Sequence, residues 1–198
     1  MDKATAELRQ DGHADIPTLA TPRLLLRGWN EDDIEPYVAL CGSQRVMSYI
    51  GGGRPLSRDE VHERLGRIDP FWAQHGFGLF SVVQESTGDF IGMCGFSLPT
   101  FAPQIMPAVE IGWRLAENVW NQGYATEAAA AILDWGFATN DFPEVVAIVQ
   151  RNNIRASHVV RRLGMVEGMA MSVGPTNVAT TLYRLTEARW QEAARVGR

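Results

Sequence analysis

The amino-acid sequence predicts a single mixed α/β domain, and three observations carry that reading. Around a turn at Ser86 to Asp89, the flanking segments FGLFSVVQ and FIGMCGFSL follow a period of two, the pattern of an antiparallel hairpin. From Val109 to Ala131 the chain reads VEIGWRLAENVWNQGYATEAAAA, an apolar strand, a polar turn with a glycine, and an alanine-rich helix. Beyond it, strand and helix patterns continue to the end with no internal repeat and no linker. The expected order is β, α, α, β, β, β, α, β, α, β, β.

Each element has a local cause. RLLLRGW, Arg23 to Trp29, is short and apolar after a Thr-Pro pair and reads as the first strand. Asn30 offers an N-cap, with Glu31, Asp32 and Asp33 at the positive end of a helix whose apolar positions are Ile34, Val38 and Cys41. Pro36 disturbs that helix or delays its start. Gly51 to Gly53 form a loop. Ser57 and Glu60 make a capping box for a second helix with Val61, Leu65 and Ile68 on one face, which Pro70 is expected to kink or end.

The hairpin follows, and the loop Pro99 to Pro107 leads to the VEIGWRL strand. A helix from about Gly123 to Phe137 carries Ala125, Ala129, Ile132 and Gly136 along one stripe. A β-branched strand at Val145 to Val149, a helix from Ile154 to Leu163, and strands at Met165 to Val173 and Val178 to Leu185 complete the pattern. The polar, aperiodic start is expected to be a flexible leader over residues 1–18, with the domain spanning 19–198.

Composition removes several function classes. With 198 residues there is enough chain for one sizeable core, and 45% hydrophobic with 21% charged residues is ordinary globular usage. The net charge of −5 and the lack of any Lys/Arg run argue against nucleic acid, and favour a cationic or neutral small partner. Cys41 and Cys94 have no spacing for zinc or for a disulfide framework, which points to a reducing cytoplasm. No apolar run is long enough to cross a bilayer, and the four histidines, His13, His62, His75 and His158, are scattered, so neither membrane nor metal is expected. His158 reads as a solvated helix position.

Chemistry concentrates at the strand-to-helix turn. A helix N-terminus presents unpaired N–H groups and about half a positive charge, and Gly123 lets a ligand approach the backbone closely. The backbone amides of Gln122, Gly123, Tyr124, Ala125 and Thr126 could therefore wrap a pyrophosphate. The alternative is that Gly123 merely breaks the chain before a helix. No GxxxxGK[ST] motif occurs, and Gly51 to Gly53 lack a strong preceding strand and a following Lys.

At these residues the chain resembles a known family. The EIGWRL strand, the QGYATEA turn and the later NNIRASHVVRRLGM are similar to the acyl-CoA signature of the GNAT superfamily of N-acetyltransferases. TPRLLLRGW, GDFIGMCGF and TLYRLTEARW extend the likeness to the branch that holds the RimJ and RimL ribosomal-protein acetyltransferases, over about Leu19 to Trp190. The resemblance implies a splayed mixed sheet flanked by helices, with acetyl-CoA between two parallel strands and its pyrophosphate on the helix that begins near Gly123. It implies that the backbone of Trp113, Arg114 and Leu115 pairs with the pantetheine arm, a form of strand addition. The family's first turn position, Arg or Gln, is Trp120 here, with Gln122 as a partial substitute. Asn153 matches the family Asn, as a cofactor or water contact. The usual acid Tyr is replaced by Val160, and the usual Ser by Ala156, which leaves Ser157 as the acid candidate one step away.

An alkyl amine is mostly protonated at pH 7, so transfer to it needs a base or a water relay. Glu110 lies inside an apolar strand beside the implied CoA site, where burial raises a carboxylate's pKa. It is either that base or the partner of a neighbouring Arg. Glu127 reads as compensation of the helix dipole. The aromatics Trp29, Tyr49, Phe71, Trp72 and Phe77 are expected to be mostly core, with a minority lining an acceptor pocket. The implied activity is acetyl-CoA-dependent transfer in a ternary complex to a protein N-terminal α-amine or a small amine. The alternative is a non-catalytic acyl-CoA-binding domain, and a homodimer is compatible with either.

Overall fold

The computed structural model describes residues 15–174 and 176–195. Of the expected leader, residues 1–14 lie outside these, whereas Ile16 is buried in the core. The chain then runs through β1 (Leu19–Ala20), β2 (Leu24–Arg27), α1 (Ile34–Gly42), α2 (Gln44–Met47), α3 (Arg58–Leu65), α4 (Ile68–His75), β3 (Leu79–Gln84) and β4 (Phe90–Ser97). It continues through β5 (Glu110–Leu115), α5 (Tyr124–Thr139), β6 (Glu144–Gln150), α6 (Ile154–Arg162), β7 (Val166–Val173), β8 (Val178–Thr186) and α7 (Glu187–Arg195). The eight strands form one sheet in the order β1-β2-β3-β4-β5-β6-β8-β7. All pairings are antiparallel except β5 with β6.

Three expectations change. Pro70 neither kinks nor ends the second helix. That helix stops at Leu65 before Gly66, and Pro70 sits in the first turn of α4, where its missing N–H would have no helical partner anyway. Pro36 also lies in a first turn, and there the expected delay is seen: Glu31–Asp33 form a 3-10 turn and α1 starts at Ile34. The short helix α2 and the carboxy-terminal α7 were not foreseen. α2 is capped by Ser43, whose Oγ accepts from the Val46 N–H, and α7 buries Trp190.

Side chains alternate along β5 and so divide it between two layers. Ile111 and Leu115 join the larger core, with Ala128, Ala129, Ile132 and Leu133 of α5. On the opposite face Met93 of β4 packs with Tyr37, Leu40 and Cys41 of α1 and Val61 of α3. α5 lies close against the sheet because Gly136 faces the buried Phe96 ring, where an added Cβ would come within 2.3 Å. These contacts fix the start of α5 beside the end of β5.

Candidate active site

β5 and β6 are paired at one register position, Glu110 with Val146, where the Val146 N–H donates to the Val109 carbonyl at 2.8 Å. Beyond it the strands diverge. In a continued parallel ladder the next β6 donor would bond the β5 backbone; here the Ile148 N–H instead stands toward the Glu110 carboxylate and favours its ionised form. The divergence opens a cavity of about 820 Å³, lined by Glu110 to Leu115, Ala147 to Gln150, the first turn of α5, one side of α6 and the Tyr49 to Gly52 loop.

Glu110 sits at the root of this cavity. Desolvation pushes its carboxyl up to about 7, although the Ile148 N–H and the Ser97 hydroxyl, 3.5 Å away, both favour the ionised form. Among the described residues it has no arginine partner, so the ion-pair alternative does not hold. Ser97 was not anticipated; it faces Glu110 because the two strands place them in register.

At the turn, Gly123 has φ 85°, a left-handed conformation that suits glycine, and α5 begins at Tyr124. The backbone N–H groups of Gln122 to Thr126 donate to nothing among the described residues, the first backbone bond of the helix being Glu127 to Gly123 at 3.0 Å. The Thr126 hydroxyl is buried and unpartnered. Gly123, Tyr124, Ala125 and Thr126 line the cavity. The side chain of Gln122 does not, because its Nε2 donates back to the Asn118 carbonyl at 3.0 Å.

Arg23 secures the turn from outside. Its Nη1 donates to the Gln122 carbonyl at 2.9 Å, its Nε to Glu127 at 2.7 Å, and its guanidinium lies 4.3 Å from the Tyr124 ring centroid. Partial burial pushes the Glu127 carboxyl up, but hydrogen bonds from Thr21 and Arg23 outweigh it and hold the group below its ordinary range. Glu127 is thus a clamp for the helix start.

On α6, Asn153 lines the cavity and caps the helix, its Oδ1 accepting from the Ala156 N–H at 3.1 Å. Ser157 is turned away: its Oγ donates to the Asn153 carbonyl at 3.2 Å, and Ala156 takes the cavity position one step of about 100° earlier. His158, read as merely solvated, is exposed but stands at the cavity wall. Of the amino-terminal aromatics singled out, Tyr49 alone lines the cavity; Trp72 and Phe77 are core.

Comparison with known proteins decides the family. A family described as an acetyltransferase (GNAT) domain matches residues 23–166. The chain belongs to the GNAT acetyltransferase family. It is 43% identical over 150 residues to the uncharacterised N-acetyltransferase YnaD of Bacillus subtilis, an alignment covering 74% of this chain and 81% of that one. The structure of an acetyltransferase from Agrobacterium tumefaciens superposes with a TM-score of 0.72 at 30% identity, over 89% of this chain and 98% of that one. The RimL acetyltransferase of ribosomal protein L7/L12, solved with coenzyme A, shares the fold at TM-score 0.71 and 15% identity, over 86% and 98%.

This GNAT acetyltransferase takes its acetyl group from acetyl-CoA, and the site's chemistry fits that donor. Unpaired amides and an orphaned Thr126 hydroxyl suit a diphosphate, and the free edge of β5 beyond Glu110 suits an amide-bearing arm. Trp113 and Leu115 both line that edge, although the Leu115 carbonyl already accepts from Trp120 Nε1 at 2.9 Å. Trp120 therefore braces the turn, and Arg155 stacks on its ring at 4.2 Å. Val160 is fully buried in the core of the acetyltransferase, so its position carries no cavity function here. Among the described residues no cluster suits a metal ion, and no helix is long and apolar enough to cross a membrane.

Proposed function

We propose that this acetyltransferase acts on protein N-terminal α-amines of the ribosomal-protein type, as a member of the RimJ/RimL-like branch, with Glu110 as general base. The observation that carries the reading is the Glu110 carboxylate at the β5–β6 divergence, enclosed and unpaired with any cation among the described residues, with a pKa raised to about 7. Such a base suits an α-amine. At pH 7 about a tenth of α-amines are neutral, against less than a thousandth of lysine-like amines, so a carboxylate titrating near 7 is matched to the first task and weak for the second.

Acetyl-CoA supplies the acetyl group as a thioester, whose C–S bond is exchanged for an N–C bond. The chain's residues hold the partners and move the proton: Gln122 to Thr126 and Asn153 hold the donor, and Glu110 takes the proton that the amine sheds, directly or through water. Proton return to the departing thiol falls to solvent or to His158 at the cavity wall, since Ser157 faces its own helix. A small amine is the second reading, favoured by Tyr49 and the Gly51–Gly52 loop, which line the same cavity.

A peptide library with varied first residues, incubated with acetyl-CoA and read by mass spectrometry, tests the acceptor. Acetylation of N-terminal α-amines is expected. Inert peptides beside a small amine that turns over well would overturn the peptide assignment.

A further inference from the structure

Arg114 is buried to 8% exposure on the face of β5 that packs against α1, yet it meets no carboxylate among the described residues. Its Nη1 donates to the Tyr37 hydroxyl at 3.2 Å and to Cys41 Sγ at 3.0 Å, its guanidinium lies 5.9 Å from the Tyr37 ring centroid, and its Nε has no partner at all. Arginine keeps its charge in proteins, so a buried guanidinium held by a phenol, a thiol and a ring edge lacks the counter-charge that normally offsets its desolvation. Arg114 also lines the cavity.

A second arginine faces the same place. Arg64 of α3 lines the cavity, acts electrostatically on Tyr37, and makes no ion pair among the described residues. Arg45, by contrast, is paired with Glu117, and Arg155 with the Trp120 ring. The cavity wall carries five arginines and one carboxylate, Glu110, in a chain whose net charge is −5. The net charge suggested a cationic or neutral partner, but the local charge is the reverse.

Glu110 and Arg114 lie four residues apart on one face of β5, about 13 Å between their Cα atoms. Between them Gly112 leaves open space, since a Cβ added there would meet nothing within 4 Å. A ligand can therefore lie along the strand with one end at each side chain.

We infer that the preferred acceptor is a primary amine that also carries a carboxylate, its amine at Glu110 and its anionic end at Arg114 and Arg64. The inference rests on the proposed role of Glu110, covers peptides with an acidic residue near the terminus first, and extends to small ω-amino acids, for whose alkyl amine Glu110 is the weaker base. A polyamine is disfavoured by the same two arginines.

The test uses acceptors that differ in one group. Peptides with Glu or Gln at the second or third residue are compared, and ω-amino acids are compared with their amides, by steady-state acetylation. The carboxylate member of each pair is expected to have a kcat/KM at least about tenfold higher, carried mainly by KM, as a charge-assisted hydrogen bond allows. That ratio should fall toward one in Arg64→Ala, an exposed position, and in Arg114→Lys, with folding checked by CoA calorimetry. A wild-type ratio of one or less overturns the inference, as does an unchanged ratio in a folded Arg64→Ala protein or turnover of a diamine alone. Inert peptides with a high ratio among ω-amino acids would refute the peptide acceptor and support this inference; acetylated peptides with a ratio of one would do the opposite.

Discussion

Arg155 of α6 lays its guanidinium over the indole of Trp120, 4.2 Å from the ring centroid, so that a charge from α6 stands against the turn that precedes α5. Both residues line the cavity. The family's Arg or Gln at the Trp120 position would bring a polar side chain there from the turn itself; here a cation arrives from the neighbouring helix. Arg155→Ala should weaken CoA binding about three- to tenfold, more at low salt than at high salt, since exposed charges are screened. Calorimetry at two ionic strengths measures this, and an unaltered affinity at low salt would detach Arg155 from the donor's phosphates.

At Gly123 the backbone conformation and the proposed contact with the donor depend on each other. At φ 85° a β-branched residue is strained by about 1–3 kcal/mol. Gly123→Val should therefore displace the Tyr124 to Thr126 amides and raise the CoA dissociation constant tenfold or more, in a protein whose circular dichroism is unchanged. Wild-type affinity in such a protein would place the diphosphate elsewhere.

Glu110→Gln separates chemistry from donor binding. The carboxyl must be ionised to act as a base, so the wild-type rate should rise with pH up to about 7 and level off. The variant should lose about 100-fold in kcat, show no acid limb, and keep its CoA affinity. A variant that keeps both rate and profile leaves water as the base.

The same carboxyl governs a stability change of opposite pH sense. Its folded pKa, about 7, exceeds the ordinary 4.5, so the folded state holds a proton that the unfolded chain has released between these values. Glu110 thus costs stability progressively as pH rises from about 4.5 to 7, by up to about 3 kcal/mol. Glu110→Gln should raise Tm relative to wild type at pH 8 and much less at pH 4.5. An equal Tm difference at both values would mean that the group is not desolvated.

Gly136→Ala tests the packing that holds α5 on the sheet. Alanine favours helix over glycine by up to about 1 kcal/mol, but its methyl would lie 2.3 Å from the Phe96 ring. Phe96 is fully buried and has little room to move. Overpacking should win, lowering stability by about 1–3 kcal/mol in denaturant titration.

How much of this could be read from the sequence depended on how local the cause was. The hairpin and the strand-turn-helix were legible because period-two alternation, the glycine and the alanine run act over a few residues. Pro70 misled because the rule against proline in a helix interior does not reach the first turn, and the true break is four residues upstream at Gly66. The orientation of Ser157 followed from a one-residue offset around a helix. Arg114 was legible only as strand backbone, because its side-chain partners Tyr37 and Cys41 lie more than seventy residues away in sequence. The basic cavity was hidden for a similar reason: net charge averages over the chain, whereas the fold gathers arginines from α2, α3, β5 and α6.

The divergence of β5 from β6 also bears on how the protein withstands heat. Among the described residues, one registered backbone pair joins the strands β1–β5 to the strands β6–β8. A donor in the proposed place between them would act as mortar, adding contacts to both sides that the unfolded chain cannot offer. By mass action, free CoA at a hundred times its dissociation constant adds about 2.7 kcal/mol. A Tm that climbs with CoA concentration is expected, so that the molecule feeding the reaction also guards the fold that carries it out.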